Sequence, residues 1–288
     1  MRDAGRIGGR PPDAGVEVAA CKGGSGLAVL MRIALDAVAV ASDMMRRRVP
    51  GIVTSKGDRD MASELDIEIE REVKRLLSER TPHIGILGEE EGGSGNPETT
   101  WVLDPIDGTA NFLRGIPLCG VTLGLIEHAR PTLGVISLPF LNETYSALTG
   151  QGAFSGRRRL AVSRTSKVED AIAAIGDYAV GPGAEEKNIV RVALTGRLAA
   201  TVQRIRMVGT AAADLAWLAT GRIDASITLS NHPWDMLAGA VIAREAGAAV
   251  VDTDGSDYTL KSSSLIACTP GIATEMLRLV TSVVPTSA

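Results

Sequence analysis

Apolar residues recur at helical spacing from Leu27 to Arg48, with Leu30, Ala34, Ala37, Val38, Ala41 and Met45 on one stripe, and the run stops at Pro50-Gly51. A second helix is expected from about Ser63 to Ser78. Leu65, Ile69, Val73, Leu76 and Leu77 form its stripe, and Ser63 followed by Asp66 has the form of a capping box. Short strands are expected at 84–87 and 101–103, on either side of a Gly/Ser/Asn/Pro loop at 92–97. Runs at 121–126, 133–137 and 144–148 have hairpin spacing, and a Ser155-Gly156 turn leads to a further strand at 160–162. The pattern then alternates. Strands at 171–175, 204–208 and 225–229 are each followed by a helix, at 184–194, 211–220 and 236–246. Strands at 248–251 and 265–267 and a helix at 272–283 close the chain. The first half reads α+β with antiparallel pairing, the second α/β.

Composition narrows the class. The 288 residues suffice for one large domain or two modest lobes, with a core that needs no staples. Apolar residues are 45% of the chain but aromatics only 3%, so the core is expected to consist of Ala, Val, Leu and Ile. A net charge of −4, with both signs interspersed, lacks the electrostatic footprint of a nucleic-acid binder. Cys21, Cys119 and Cys268 are far apart and form no CxxC pair, which argues for a reducing compartment and against a zinc site. Residues 1–26 read as a disordered extension. The apolar run from Leu27 to Met45 is broken by Arg32, Asp36 and Asp43, short of the roughly 18 uncharged residues of a membrane span, and the cytoplasm is the expected address.

Acidic residues gather where strands end or helices begin: Asp60 with Asp66, Glu89 with Glu90, Asp104 with Asp107, and Asp235. Crowded carboxylates repel, and a bound divalent cation is the simplest compensation. Hard oxygen donors without His or Cys point to magnesium. Two such ions about 4 Å apart would clamp a phosphate oxygen and activate a water. In Asp104-Pro105-Ile106-Asp107-Gly108-Thr109, Pro105 fixes the backbone so that the carboxylates can converge. Gly108 permits close approach, the following N–H groups would open onto a phosphate, and the Thr109 hydroxyl can orient a water. Taken singly, each Asp could equally be a helix cap.

Four stretches together are similar to the inositol monophosphatase family: Gly88-Glu89-Glu90, WVLDPIDGTANF (101–112), Val208-Gly209-Thr210-Ala211-Ala212, and Trp234-Asp235-Met236-Leu237-Ala238-Gly239. The resemblance spans residues 27–288. It implies a layered αβαβα sandwich in one phosphatase domain, with lobes 27–150 and 151–288, forming a homodimer. It also implies two or three magnesium ions. Glu89, Asp104 and the Ile106 carbonyl would hold the first, and Asp104, Asp107 and Asp235 the second. Glu89 would help hold a third, whose waters contact Asp66. Glu89, Asp66 and Thr109 form the expected catalytic set. Gly108, Thr109 and Asp107 would meet the phosphate, and Gly209, Thr210 and Ala211 the alcohol. Lys56 and Asp60 match a loop that closes over the site.

One departure concerns substrate. Many family members that act on inositol phosphate carry a Glu seven residues before the last Asp, and Thr228 stands there. Hydroxyl recognition would then fall to Thr228 or Asn231, or the substrate differs. Inositol-1-phosphate is the leading expectation. Histidinol phosphate, fructose 1,6-bisphosphate and a 3'-phosphoadenosine nucleotide are alternatives, the last disfavoured by the scarcity of aromatics. A role as an RNA- or polymerase-associated regulatory protein would be favoured by lost metal ligands, and all are present. His83, His128 and His232 read as loop residues, Trp217 and Trp234 as packing, and Arg157-Arg158-Arg159 as a solvated hairpin.

Overall fold

The computed structural model describes residues 25–48, 51–55 and 61–284. Cys21, the extension before residue 25 and the loop residues Lys56 and Asp60 lie outside them. The helices are α1 (Ser25–Arg47), α2 (Glu64–Arg80), α3 (Thr109–Leu113), α4 (Ala184–Ala199), α5 (Ala211–Ala219), α6 (Pro233–Glu245) and α7 (Ala273–Thr281). A hairpin of β1 (Val53–Ser55) and β2 (Met61–Ser63) leads into α2.

The larger sheet has eight strands. They are β3 (Gly85–Gly88), β4 (Gly92–Ser94), β5 (Thr99–Asp107), β6 (Gly120–Glu127), β7 (Arg130–Leu138), β8 (Glu143–Leu148), β9 (Gly152–Ser155) and β10 (Arg158–Arg159), in the order β10-β9-β8-β7-β6-β5-β3-β4. All its pairs are antiparallel except β3 with β5. The second sheet contains β11 (Ile172–Ile175), β12 (Arg204–Arg206), β13 (Ala225–Thr228), β14 (Ala249–Val251) and β15 (Leu265–Cys268), in the order β12-β11-β13-β15-β14. β11 runs parallel to β12 and β13, as crossover helices require, whereas β15 is antiparallel to both neighbours.

The layers follow from the apolar stripes. α1 and α2 cover one face of the large sheet through Ala34, Ala37, Ile69 and Val73. α5 and α6 fill the space between the sheets, and α4 and α7 close the outer face of the small one. The order is αβαβα. With so few aromatics, the central layer is built from Ala212, Ala213, Ala216 and Ala238, which are at most 1% exposed and bring helices and strands close together.

Three expectations need correction. The 92–97 loop contains the edge strand β4, because its glycines pair with β3 despite weak strand propensity. Residues 160–162 are not a strand. Leu160 N–H donates to the Ala153 carbonyl (2.8 Å) and Val162 N–H to that of Ala246 (3.0 Å), so the segment crosses between sheets. The strand expected at 101–103 continues through Asp107, with the ladder to β6 interrupted between Asp104 and Asp107, where Pro105 cannot donate. The Arg157–Arg159 stretch is a hairpin, with exposed Arg158 and Arg159 pairing with β9. Cys119 and Cys268 are free and buried.

Candidate active site

The site begins with strand register. β3 and β5 are parallel, with Gly88 opposite Leu103, so the next residue of each, Glu89 and Asp104, emerges at the same edge. Glu89 N–H donates to the Leu103 carbonyl at 3.2 Å. On the other side of β5, Asp104 pairs with Thr122, whose hydroxyl donates to the Trp234 carbonyl at 2.7 Å. This bond ties the start of α6, and with it Asp235, to the same point. Asp235 lies in the first turn of α6 rather than before it, because Pro233 takes the first helical position. One carboxylate oxygen from each of Glu89, Asp104 and Asp235 lies within 4.8 Å of the other two.

Asp104 is only 2% exposed. Its Oδ1 accepts from the Ile106 N–H at 2.9 Å. Burial, then the charges of Glu89, Asp107 and Asp235, push its pKa well above the carboxylate range, and it hydrogen-bonds Glu89. The donors are all hard oxygens, so the set fits a divalent cation such as magnesium.

Asp107 belongs to the same edge but is held differently. Its Oδ2 accepts from the Thr210 hydroxyl and from the Ala212 N–H at 2.6 Å, both at the start of α5. The Ala211 N–H also bonds this carboxylate, so the first turn of α5 holds Asp107. Burial raises its pKa to about 6 against the pull of these bonds. Thr210 caps α5 by accepting from the Ala213 N–H. Its buried side chain is committed to Asp107, so only its backbone is left for an alcohol.

Asp66 joins from α2. The capping box forms as expected, with the Ser63 N–H donating to Asp66 Oδ2 at 2.9 Å. The remaining Oδ1 is 3.2 Å from the Thr109 hydroxyl, which also lies 3.0 Å from the Ile106 carbonyl. Burial raises the pKa of Asp66. Thr109 opens the short helix α3, whose cap Gly108 has φ +86°, a left-handed conformation that favours glycine. A side chain at 108 would also meet the Gly209 carbonyl at 3.1 Å. Asn111 braces this contact, donating to the carbonyls of Leu118 and Val208 at 2.7 Å each.

Asn231 is taken up by neighbouring groups rather than left open to a substrate hydroxyl. Its amide donates to the Ser262 carbonyl at 2.6 Å and accepts from the Tyr258 hydroxyl at 2.7 Å. His232 caps α6 and stacks on Trp234, with ring centroids 5.4 Å apart and planes 15° from parallel. Two acids escaped the sequence reading. Asp214 is buried, its Oδ1 has no hydrogen-bond partner among the described residues, and burial pushes its pKa well up. Asp177 is exposed just beyond β11, and a methyl group on Gly209 would lie 3.5 Å from its Oδ2. No sequence motif flags either.

A layered αβαβα sandwich with acids converging at strand and helix ends defines a class of metal-dependent phosphatase. The comparisons agree. The model of the inositol monophosphatase family matches residues 25–284, and the chain belongs to that family of phosphoric monoester hydrolases. It is similar to an inositol-1-monophosphatase, ImpA, of Mycolicibacterium smegmatis, at 36% identity over 86% of this chain and 89% of that one. It is also similar to the Nus factor SuhB of Xylella fastidiosa, at 34% identity over 79% of this chain and 83% of that one. Among solved structures, the extragenic suppressor protein SuhB of Bartonella henselae superposes with a TM-score of 0.83 at 32% identity, covering 89% of this chain and all of that one. Among the described residues no helix is long and apolar enough to cross a membrane.

Proposed function

We propose that this chain hydrolyses the phosphate monoester of a small polyol, with inositol-1-phosphate the first candidate, using two or three magnesium ions, and that it works as a cytoplasmic homodimer. The observation that carries the reading is the convergence of Glu89, Asp104 and Asp235 within 4.8 Å, next to the Asp66–Thr109 pair. Glu89, Asp104, Asp235, the Ile106 carbonyl and the Asp107 carboxylate would hold the ions, which would supply charge neutralisation and a more acidic bound water. Thr109 orients a water through its hydroxyl, and Asp66 accepts that hydroxyl's proton or the water's. Gly108 and Thr109 N–H groups face the phosphate, and Gly209 and Ala211 present backbone to the alcohol. Direct attack by water needs no phosphoenzyme, only positioning and charge stabilisation.

For the alcohol, Asp177 beside Gly209 supplies the carboxylate acceptor that Thr228 lacks. A charged acceptor suits a hydroxyl-rich leaving group rather than a nucleobase. A phosphate-release screen with magnesium over inositol, sugar, histidinol and nucleotide phosphates tests this. Preference for a nucleotide would defeat the polyol reading.

A second reading rests on the similarity to a protein named a Nus factor: association with the transcription machinery, through a surface separate from the site. Binding of purified RNA polymerase by a hydrolytically inert variant would support it.

A further inference from the structure

We infer that Glu70 is a positioning residue that fixes the Glu89 turn in the geometry needed to bind the cation. The inference rests on the proposed metal site and concerns a residue outside it. Asp66 and Glu70 are four residues apart on α2, so they share a helix face. Asp66 reaches Thr109. One turn later, Glu70 reaches the turn between β3 and β4 that carries Glu89.

The contacts are specific. The Glu70 carboxylate is fully buried, and its two oxygens accept from the N–H groups of Glu90 and Glu91, each at 2.8 Å. Lys74, a further turn along α2, lies 2.7 Å from the same carboxylate and donates to the Gly92 carbonyl at 3.1 Å. A methyl group on Gly88 would stand 2.3 Å from the Glu70 carboxyl carbon, so this acid occupies the space beneath the strand end itself. α2 thus grips residues 88, 90, 91 and 92, on both sides of Glu89.

A buried charge is expensive unless paired and hydrogen-bonded, and Glu70 is both. What these bonds secure is the turn backbone, which has no ladder of its own between β3 and β4. Supports of this kind around metal ligands set affinity as well as stability.

The test is calorimetric titration of the full chain with Mg2+ alone, comparing wild type, Glu70→Gln and Lys74→Gln, with melting temperatures measured in chelator. For Glu70→Gln the Mg2+ dissociation constant should rise about tenfold, with kcat at saturating Mg2+ within about twofold of wild type. A folded Glu70→Gln protein with an unchanged dissociation constant overturns the inference and leaves the metal site standing, since a purely structural role would lower only the melting temperature. If Glu70→Gln does not fold, Lys74→Gln decides. A rise of about threefold supports the inference and an unchanged constant overturns it. A wild type that takes up no Mg2+ overturns both the metal reading and this one.

Discussion

The Thr109 hydroxyl sits 3.2 Å from Oδ1 of Asp66, and the other oxygen of that carboxylate is held by the Ser63 N–H at 2.9 Å. One side chain therefore caps a helix with one oxygen and meets the Thr109 hydroxyl with the other. The cap fixes the aim: with Oδ2 committed, Oδ1 has a single direction. Thr109→Ala and Asp66→Asn should each lower kcat roughly 100-fold or more, with a much smaller change in KM. Asp66→Asn should also cost about 1 kcal/mol of stability through the weakened capping box. Steady-state kinetics with urea melts check both, and an unchanged kcat in either variant removes that residue from the catalytic set.

Replacing Asp104 or Asp235 by Asn should abolish hydrolysis without unfolding the chain. In chelator, Asp104→Asn should melt at or above the wild-type temperature, because it removes the repulsion of Asp104 by Glu89, Asp107 and Asp235. A variant that melts well below wild type in chelator would contradict this account of the cluster.

The pH dependence has a definite sign. Burial pushes Asp107 up to about 6 from an ordinary 3.8, and burial with the neighbouring charges raises Asp104 well above its ordinary value too. The native state thus binds more protons than the unfolded one, so this part of the metal-free stability is lost as pH rises from 3.8 through 6. Asp252 and Glu143, whose pKa values are lowered, act in the opposite sense, their contribution fading as pH falls. The informative quantity is therefore the gap in melting temperature between magnesium and chelator. It should widen from pH 5 to pH 7, as the cation ceases to compete with protons. A gap that narrows over that range would contradict it.

Thr210→Val should remove the α5 cap and leave the Asp107 carboxylate one donor short, at a cost of about 1–2 kcal/mol. Thermal melts read the stability, and metal titration should show weaker binding.

Asp177→Ala should raise KM for an inositol phosphate about tenfold while leaving kcat nearly unchanged, as loss of one charge-assisted hydrogen bond to the alcohol would. An unchanged KM would remove Asp177 from substrate recognition.

The sequence makes much of this site legible, and the gaps have physical causes. Local signals carried the helices: the stripe of α2 and its Ser63–Asp66 cap are set within four residues of chain, and both form. The DPIDGT stretch was recognisable because several donor types crowd into six positions. Pairing across distant chain was not legible. Nothing near Thr122 announces that it binds the Trp234 carbonyl 112 residues away, or that Asn231 is spent on Tyr258 and Ser262. The β4 strand hid in a glycine-rich run because its partner, not its propensity, makes it a strand. Pro233 was a missed local signal, since proline at a first helical position would have placed Asp235 inside α6.

The proposed role of the acidic cluster is to hold the cation that drives phosphate release. It is tested most directly by following phosphate release from inositol-1-phosphate by the wild type and Asp104→Asn, in magnesium and in excess chelator. Release by the wild type in magnesium, loss in chelator, recovery when magnesium is restored, and none from Asp104→Asn in either condition are the expected results. Release that persists in chelator, or full activity of Asp104→Asn, would contradict it.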